Sequence, residues 1–385
     1  MAEGTRSTIN PLRALGDYGQ SVWLDYIRRD LIISGELRHL VEADGVCGVT
    51  SNPSIFEKAV AGSADYDDIL GAVDARGLDA AALYERIAVR DVRDAADVLG
   101  PVYERSQGRD GYVSLEVSPK LAHDTRRTLD EARRLWRTVG RPNLMIKVPA
   151  TPEGVPALRQ LIAEGINVNA TLLFSQAAYE RIAQAYMEGL ETRARDGDDL
   201  SRVESVASFF VSRIDSAVDE LLSRRMKASV GAQELASLRS VLGKAAITNA
   251  KQTYRKYLRL FAGPRWGALA ARGARTQRVL WASTSTKNPA YRDVVYVEEL
   301  IGPDTVNTVP PATLEAFRDH GRVRASLTED VEAADAAMVT LARLGISMPE
   351  VTARLLEDGV RLFAESFDGL LKAVGGRGAI ATARG

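Results

Sequence analysis

Lys147 lies within the apolar segment Leu144–Pro149, in which aliphatic residues alternate with other side chains. Side chains of a β-strand point alternately to its two faces, so the aliphatic residues would share one face and Lys147 would point to the other. The same alternation in Tyr112–Val117 separates Glu116 from the Val and Leu side chains of that segment. Two neighbouring strands would therefore direct an amine and a carboxylate to the same side.

A third segment, Asn167–Phe174, presents further polar side chains in the same way. Its Val, Ala and Leu residues alternate with Asn167, Asn169 and Thr171. Polar groups inside a closed barrel are costly to bury without partners, and a purely structural barrel interior is filled by Val, Ile and Leu. This polar set therefore indicates a functional site.

Lys147 is well suited to covalent chemistry. Burial disfavours the charged form of a lysine, so more of the nucleophilic amine is present at neutral pH for attack on a carbonyl carbon. The alternative is a buried structural ion pair between Lys147 and Glu116. Because Asp25, Asn52 and Thr171 also fall at or near the carboxyl ends of predicted strands, where barrel enzymes carry their chemistry, we favour catalysis.

Short apolar runs alternate with longer amphipathic stretches along the chain, which is typical of repeated βα units with a parallel sheet. We predict eight strands. They lie near Ser21–Asp25, Gly45–Thr50, Tyr112–Val117, Leu144–Pro149, Asn167–Phe174, Val203–Phe210, Arg278–Thr284 and Thr305–Val309. Helical periodicity between them, as in Lys120–Val139, indicates the covering helices. The predicted fold class is α/β, a (β/α)8 TIM barrel.

Two helical additions to the barrel are predicted. The stretch from about residue 215 to 274 is rich in Ala, Leu, Lys and Arg, and it is longer than one βα connection requires. Near the C-terminus, Ser347 and Glu350 form a capping box that opens a long amphipathic helix through about Lys372, which Gly375 and Gly376 would end. Because no linker divides the chain, residues 1–374 are predicted as a single barrel domain and residues 375–385 as a flexible tail.

The amino-acid composition bears on whether the protein binds nucleic acid, a metal ion or a membrane. The 385 residues have a formal net charge of -1, with 50 Lys and Arg scattered among 51 Asp and Glu, so nothing favours a nucleic-acid partner. The single cysteine, Cys47, excludes an internal disulfide, and three dispersed histidines give no metal-ligand cluster of recognisable spacing. Neither a signal peptide nor an apolar run long enough to span a membrane is evident. We therefore expect a cytoplasmic protein with no membrane span and no bound metal.

Four ordered segments carry a family resemblance. GVTSNPSIF at Gly48–Phe56 ends the second predicted strand, and LMIKVPAT at Leu144–Thr151 surrounds the inward lysine. Ile166–Ser175 forms the strand after the lysine strand, and Trp281–Pro289 follows at the seventh strand. Together these segments resemble the transaldolase family, in the signature, the active-lysine segment, the strand that follows it and the strand at the phosphate end.

The resemblance implies a (β/α)8 barrel and a set of catalytic residues. Lys147 would form a Schiff base with a ketose phosphate, and Asp25 would take the proton of the C4 hydroxyl while the C3–C4 bond breaks. Glu116 and Thr171 would hold the water that relays protons while the carbinolamine forms and collapses. No cofactor is implied.

Three further residues would bind the sugar chain. Asn52 and Asn169 would hydrogen-bond the hydroxyls of the dihydroxyacetone unit, and Ser208 would add another hydroxyl contact. The implied reaction moves this three-carbon unit from fructose 6-phosphate to erythrose 4-phosphate, giving sedoheptulose 7-phosphate and glyceraldehyde 3-phosphate reversibly.

The substrate phosphate would meet a separate set of residues. Arg213 and Ser283 match family positions that contact the phosphate. Relatives carry an arginine two residues after that serine, whereas here Ser285 stands there and Lys287 follows two residues later. Lys287 would supply the missing charge, although a lysine lacks the bidentate fork of an arginine.

Two other functions stay open at this point. A related aldolase would release free dihydroxyacetone, but aldolases that resemble this family lack the carboxylate at the position of Glu116, use a tyrosine-based water site and are much shorter. A non-catalytic sugar-phosphate binder would not need Lys147, Glu116 and Asp25 together. The sequence therefore predicts a transaldolase that acts on sugar phosphates, as a monomer or a homodimer.

Overall fold

Eight parallel strands form a closed barrel in which each strand pairs with the next along the chain and the eighth pairs with the first. The computed structural model describes residues 10–72, 77–228 and 231–384. The strands are β1 (Gln20–Asp25), β2 (Val46–Thr50), β3 (Tyr112–Glu116), β4 (Leu144–Pro149), β5 (Val168–Leu173), β6 (Ser205–Phe210), β7 (Arg278–Ala282) and β8 (Thr305–Val309). All eight predicted strands are present, each within two residues of its expected ends. The predicted (β/α)8 fold class is confirmed.

Helices in the described part of the chain surround and extend this barrel. They are α1 (Pro11–Asp17), α2 (Arg29–Ile33), α3 (Glu36–Asp44), α4 (Pro53–Gly62), α5 (Asp67–Gly71), α6 (Ala80–Arg105), α7 (Thr125–Val139), α8 (Gly154–Ala163), α9 (Gln176–Arg195), α10 (Ser212–Lys227), α11 (Ala232–Ser240), α12 (Ala245–Leu260), α13 (Pro264–Ala270), α14 (Val295–Glu298), α15 (Pro311–His320), α16 (Val331–Arg343) and α17 (Met348–Arg384). No helix in these ranges, α17 included, is long and apolar enough to cross a membrane.

The α7 helix begins later than its periodicity predicts. Asp124 is its N-cap and accepts a hydrogen bond of 2.9 Å from the backbone N–H of Arg127. The cap begins the α-helix at Thr125, and the preceding Pro119–Leu121 forms a 3-10 turn instead. The part of the predicted helix before Thr125 is therefore wrong.

Four helices, α10 to α13, lie between β6 and β7, where the helical addition was predicted. Buried hydrogen bonds position the addition. Asn249 on α12 donates to the backbone oxygen of Phe174 at 2.8 Å and holds α12 against the end of β5. Asp215 on α10 accepts from the backbone N–H of Ala246 at 2.8 Å and holds α12 against α10.

The α17 helix starts as predicted but ends later. The Ser347 hydroxyl accepts a hydrogen bond of 3.4 Å from the backbone N–H of Glu350, as expected of the capping box. The predicted end at Gly375 and Gly376 is wrong, because the helix continues to Arg384. A β-carbon at Gly375 would lie 3.4 Å from that of Ala80, an ordinary van der Waals distance, so α17 packs beside α6 at this point. The flexibility expected of residues 375–385 stays a prediction.

A buried ion pair closes the amino-terminal end of the barrel interior. Arg278, at the start of β7, is 1% exposed and donates to Asp110 at 3.1 Å and to the Ser21 hydroxyl at 2.8 Å. The indole N–H of Trp23 donates to the same Asp110 side chain at 3.1 Å. These bonded side chains occupy the amino-terminal end of the barrel interior, so we expect a ligand to enter from the carboxyl ends of the strands.

Candidate active site

Lys147 on β4 directs its amine into the carboxyl-terminal half of the barrel. The Nζ atom lies 3.5 Å from a carboxylate oxygen of Glu116 and donates a hydrogen bond of 3.0 Å to the backbone oxygen of Ser51. Glu116 on β3 and Asn169 on β5 are the direct strand partners of Lys147 in the sheet register. The alternation of side chains predicted from sequence therefore brings these three residues to one level of the barrel.

Glu116 has the properties of a group that exchanges protons near neutral pH. Burial raises the pKa of Glu116 to about 7, although the nearby Lys147 charge acts in the opposite direction. Neither carboxylate oxygen of Glu116 nor the hydroxyl of Thr171 has a hydrogen-bond partner among the described residues. Buried polar groups normally have partners, so both side chains can hold a small polar molecule. The water-holding role that the resemblance implies for these two residues stays a prediction.

Asp25 is the last residue of β1 and accepts a hydrogen bond of 2.7 Å from the Thr50 hydroxyl. The Thr50 oxygen also lies 2.7 Å from the hydroxyl oxygen of Thr308 on β8. Burial raises the pKa of Asp25, while the Lys147 charge and the Thr50 hydrogen bond oppose this shift. Two threonine hydroxyls thus hold the carboxylate where it can exchange a proton with a bound molecule.

Asn52 joins β2 to α4 and has a double role. As the N-cap of α4 it accepts, through its side-chain oxygen, a hydrogen bond of 3.1 Å from the backbone N–H of Ile55. The amide NH2 remains as the group that can donate to a ligand. Because Ser51 binds the Lys147 amine through its backbone oxygen, this short segment positions two functional groups at once.

Asn169 lies behind the other predicted contacts. Ser208 donates a hydrogen bond of 2.6 Å to the side-chain oxygen of Asn169, and the Asn169 amide donates to the Ser114 hydroxyl at 3.1 Å. Asn169 is fully buried, whereas Ser208 faces the cavity described next. Asn169 therefore fixes the orientation of the Ser208 hydroxyl.

A cavity of about 490 Å³ opens at the carboxyl end of the barrel. Eight of the ten predicted site residues line it: Asp25, Asn52, Lys147, Thr171, Ser208, Arg213, Ser283 and Lys287. Glu116 instead lines a separate cavity of about 860 Å³ between α6, α7 and α17. Glu116 thus approaches the Lys147 amine from a different side than a molecule bound in the first cavity.

Positive charges gather along one part of the first cavity. The Arg213 guanidinium, in the first turn of α10, lies 5.4 Å from the ring centroid of Phe210, and Lys287 donates to the Ser285 hydroxyl at 2.7 Å. Partial desolvation in the cavity lowers the pKa of Lys287, and the charges of Arg213 and Lys58 lower it further, against the opposing charge of Asp25. Repulsion among cations that share a cavity favours the binding of an anion between them.

Ser283 follows β7 in an uncommon backbone conformation, with a φ of 56°. Its hydroxyl oxygen lies 3.0 Å from that of Ser212, and its backbone oxygen accepts from the Ser212 N–H at 3.0 Å. Because Ser212 directly precedes Arg213, these bonds place Ser283 beside the arginine at the wall of the cavity.

Sequence reasoning missed several residues of this wall. They are Ser54 and Lys58 on α4, Thr308 on β8, and Leu362, Phe363 and Ser366 on α17. Lys58 lies two residues beyond the signature segment, within reach of a prediction from that motif. Nothing in the pattern of α17 indicates which strand ends it covers. Among the described helices of the insertion, only α10 reaches the cavity.

Comparison with known proteins agrees with the geometry of the site. The Transaldolase/Fructose-6-phosphate aldolase family model matches residues 22–374. A protein named Transaldolase from Thiobacillus denitrificans is 51% identical over 367 residues, which are 95% of this chain and 100% of the relative. A protein of the same name from Trichodesmium erythraeum is 47% identical over 367 residues, 95% of this chain and 97% of the relative. Transaldolase 2 from Nostoc punctiforme is 49% identical over 368 residues, again 95% and 97%.

The family match spans all of the barrel except the first two residues of β1, together with most of α17, and the relatives are similar over nearly their full length. The residues matched by the family model include all ten predicted site residues. This chain belongs to the Transaldolase/Fructose-6-phosphate aldolase family.

Proposed function

We propose that the chain is a transaldolase, a transferase that moves a dihydroxyacetone unit between sugar phosphates through a Schiff base on Lys147. The observation that carries the proposal is the buried Lys147 amine, 3.5 Å from the Glu116 carboxylate, beside a cavity that also contains Asp25. The relatives named Transaldolase, which cover nearly the whole chain, support transfer over release of free dihydroxyacetone.

The first steps form the imine. The Lys147 amine attacks the C2 carbonyl carbon of the ketose phosphate, and the carbonyl oxygen takes up a proton to give a carbinolamine. Loss of water then requires a proton on the departing hydroxyl. Glu116, with a pKa of about 7, can supply this proton through a water held jointly with Thr171, whose hydroxyl also lacks a partner among the described residues.

The next step breaks a carbon–carbon bond. Ionised Asp25 takes the proton of the C4 hydroxyl, and the C3–C4 electron pair passes into the imine, leaving an enamine on Lys147 and a free aldose phosphate. An acceptor aldose then reverses the sequence. The enamine carbon attacks the aldehyde carbon, and Asp25 returns its proton to the new hydroxyl.

Two side chains contact the dihydroxyacetone unit in this proposal, and a third positions one of them. Asn52 donates from its amide NH2, because the cap of α4 occupies its oxygen. Ser208 contacts a substrate hydroxyl from the cavity wall, and Asn169 acts through its hydrogen bond to Ser208. These contacts hold the enamine in place until an acceptor enters.

The phosphate group binds among Arg213, Ser283 and Lys287, where the positive charges gather. Fructose 6-phosphate and sedoheptulose 7-phosphate are the proposed donors, and erythrose 4-phosphate and glyceraldehyde 3-phosphate the acceptors. This exchange belongs to the pentose phosphate pathway, and we place it in the cytoplasm.

Dependence on the acceptor tests the proposal. With fructose 6-phosphate and erythrose 4-phosphate together, glyceraldehyde 3-phosphate should form continuously, whereas without the acceptor its formation should be far slower. Equal rates in the two mixtures would make the chain an aldolase. Absence of product in both, for a protein that is folded, would make it a sugar-phosphate binder.

A further inference from the structure

The α17 helix forms part of the wall of the first cavity through three side chains, Leu362, Phe363 and Ser366. The helix lies close to the barrel just before them. A β-carbon at Gly359 would lie 2.9 Å from a methyl carbon of Leu172 on β5. A larger residue at this position would therefore have to displace the Leu172 side chain. The glycine allows the close approach that brings the wall residues over the site.

Phe363 lies over the reacting amine. Its ring centroid is 5.7 Å from the Lys147 Nζ, and Phe363 and Lys147 are 6% and 4% exposed. Phe367, one turn later, packs edge-on against Tyr84 with 5.5 Å between ring centroids, and it lines the cavity that contains Glu116. Phe363 thus borders the substrate side of the amine, and Phe367 borders the Glu116 side.

We infer that Phe363 directs the dihydroxyacetone intermediate towards an aldose acceptor and protects it from hydrolysis to free dihydroxyacetone. The inference rests on the proposed Schiff base at Lys147. Phe363 is in this view a positioning residue and takes no part in proton transfer.

The two fates of the intermediate differ in their need for solvent. In transfer, the enamine carbon bonds to the aldehyde carbon of the acceptor, and the acceptor oxygen receives a proton from Asp25. In hydrolysis, solvent protonates the enamine carbon, water adds to the resulting iminium carbon, and the carbon–nitrogen bond breaks. Dihydroxyacetone and the free Lys147 amine are then released. Hydrolysis therefore requires solvent to reach the enamine carbon from the substrate side.

The position of Phe363 restricts this access. Leu362, its neighbour on the cavity wall, is 40% exposed, whereas Phe363 is buried and lies over the amine. A ring face within about 6 Å of a nitrogen cation also attracts it, so the same side chain holds the charged iminium form in place. The ring thus combines exclusion of water with orientation of the covalent intermediate.

Two substitutions separate these effects. Phe363→Leu keeps an apolar side chain without a ring face, and Phe363→Ala opens the wall. Phe367→Leu is the matched control, since it makes the same change one turn along the same helix on the Glu116 side. For each variant the rate of dihydroxyacetone release from fructose 6-phosphate is compared with the rate of transfer to erythrose 4-phosphate.

We expect the ratio of release to transfer to rise about tenfold in Phe363→Ala, the scale of a lost ring–cation contact in a desolvated site. A smaller rise is expected in Phe363→Leu, and the ratio should stay at the unmodified value in Phe367→Leu. If Phe363→Ala does not fold, as circular dichroism would show, Phe363→Leu carries the test.

An unchanged ratio in the folded Phe363 variants, with both rates falling together, would overturn the inference, because the ring would then only pack α17. An equal rise of the release-to-transfer ratio in Phe367→Leu would also overturn the inference, since general loosening of α17 would then explain the result. Borohydride reduction with fructose 6-phosphate separates these outcomes from failure of the proposed function. Absence of an adduct on the unmodified protein would overturn both the proposed function and the role of Phe363. An adduct on Lys147, with an unchanged ratio of release to transfer in the Phe363 variants, would overturn only the role of Phe363.

Discussion

The Thr50 hydroxyl donates a hydrogen bond of 2.7 Å to the carboxylate of Asp25, its direct partner on the adjacent strand. A hydrogen bond donated to a carboxylate stabilises the ionised form, whereas burial raises the pKa of Asp25. The fraction of Asp25 that can act as a base therefore depends on a balance between burial and this bond.

Thr50→Val should raise the pKa of Asp25 further, because the bond is lost and the burial stays. Because cleavage needs ionised Asp25, the acidic limb of the plot of kcat/KM against pH should move to higher pH. The expected shift is about one to two pH units, which corresponds to the free energy of a hydrogen bond to a charged group. Thr50→Ser should restore most of the original profile. A limb that stays in place in Thr50→Val would show that Asp25 does not control this part of the profile.

Asp25→Ala should still form the imine but should cleave the donor slowly, because the carboxylate acts after the covalent step. The measurement is borohydride trapping with fructose 6-phosphate, compared with turnover of the same sample. Trapping should persist while turnover falls. Parallel loss of both in a folded variant would move Asp25 to the binding or imine step.

Glu116 should make stability depend on pH. Its pKa is about 7 in the folded protein against an ordinary value of 4.5, so the folded state retains the proton that the unfolded state loses. This contribution to stability is complete below about pH 4.5 and is lost as the pH rises through about 7.

Glu116→Gln keeps the shape of the side chain but does not titrate. As the pH rises from about 4.5 to above 7, the free energy of unfolding of the variant should increase relative to that of the unmodified protein, by up to roughly 3 kcal/mol in total. Urea unfolding at several pH values measures this difference. If the two proteins follow parallel curves, the folded-state pKa of Glu116 is not raised.

Neutralising Arg213 or Lys287 should weaken the use of ketose phosphates far more than the use of unphosphorylated sugars. Contacts between charged groups are typically worth about 1.5–3 kcal/mol, which corresponds to roughly ten- to a hundredfold in kcat/KM. Lys58→Gln tests whether the third cation contributes to the same anion site. Equal losses for both sugars would indicate a structural role. An unchanged KM in Lys287→Gln would show that Arg213 and the hydroxyls of Ser283 and Ser285 bind the phosphate without Lys287.

Most of the barrel could be predicted because strand alternation is a local property. Lys147, Glu116 and Asn169 each stand opposite an aliphatic face within their own strand, and neighbouring strands in a parallel barrel bring such residues to one level. Alternation could not distinguish Ser208, which faces the cavity, from Asn169, which lies behind it. That difference depends on the hydrogen bonds between strands.

The contribution of α17 could not be predicted, because it depends on long-range packing. Phe363 is one of several apolar residues on a helix, and its sequence neighbours do not indicate that it lies over Lys147. The same limitation explains the wrong helix end. Gly375 resembles a C-cap locally, yet the helix continues past it where α17 packs against α6, far away in the chain.

The covalent role of Lys147 is tested most directly by borohydride reduction in the presence of fructose 6-phosphate, followed by peptide mass analysis. The peptide that contains Lys147 should gain the mass of a reduced dihydroxyacetone adduct, and Lys147→Ala should be folded, inactive and unlabelled. Lys287→Gln serves as the control, because it removes another lysine of the cavity but should still be labelled at Lys147. Labelling on a different lysine, or full transfer activity in Lys147→Ala, would contradict the proposed mechanism.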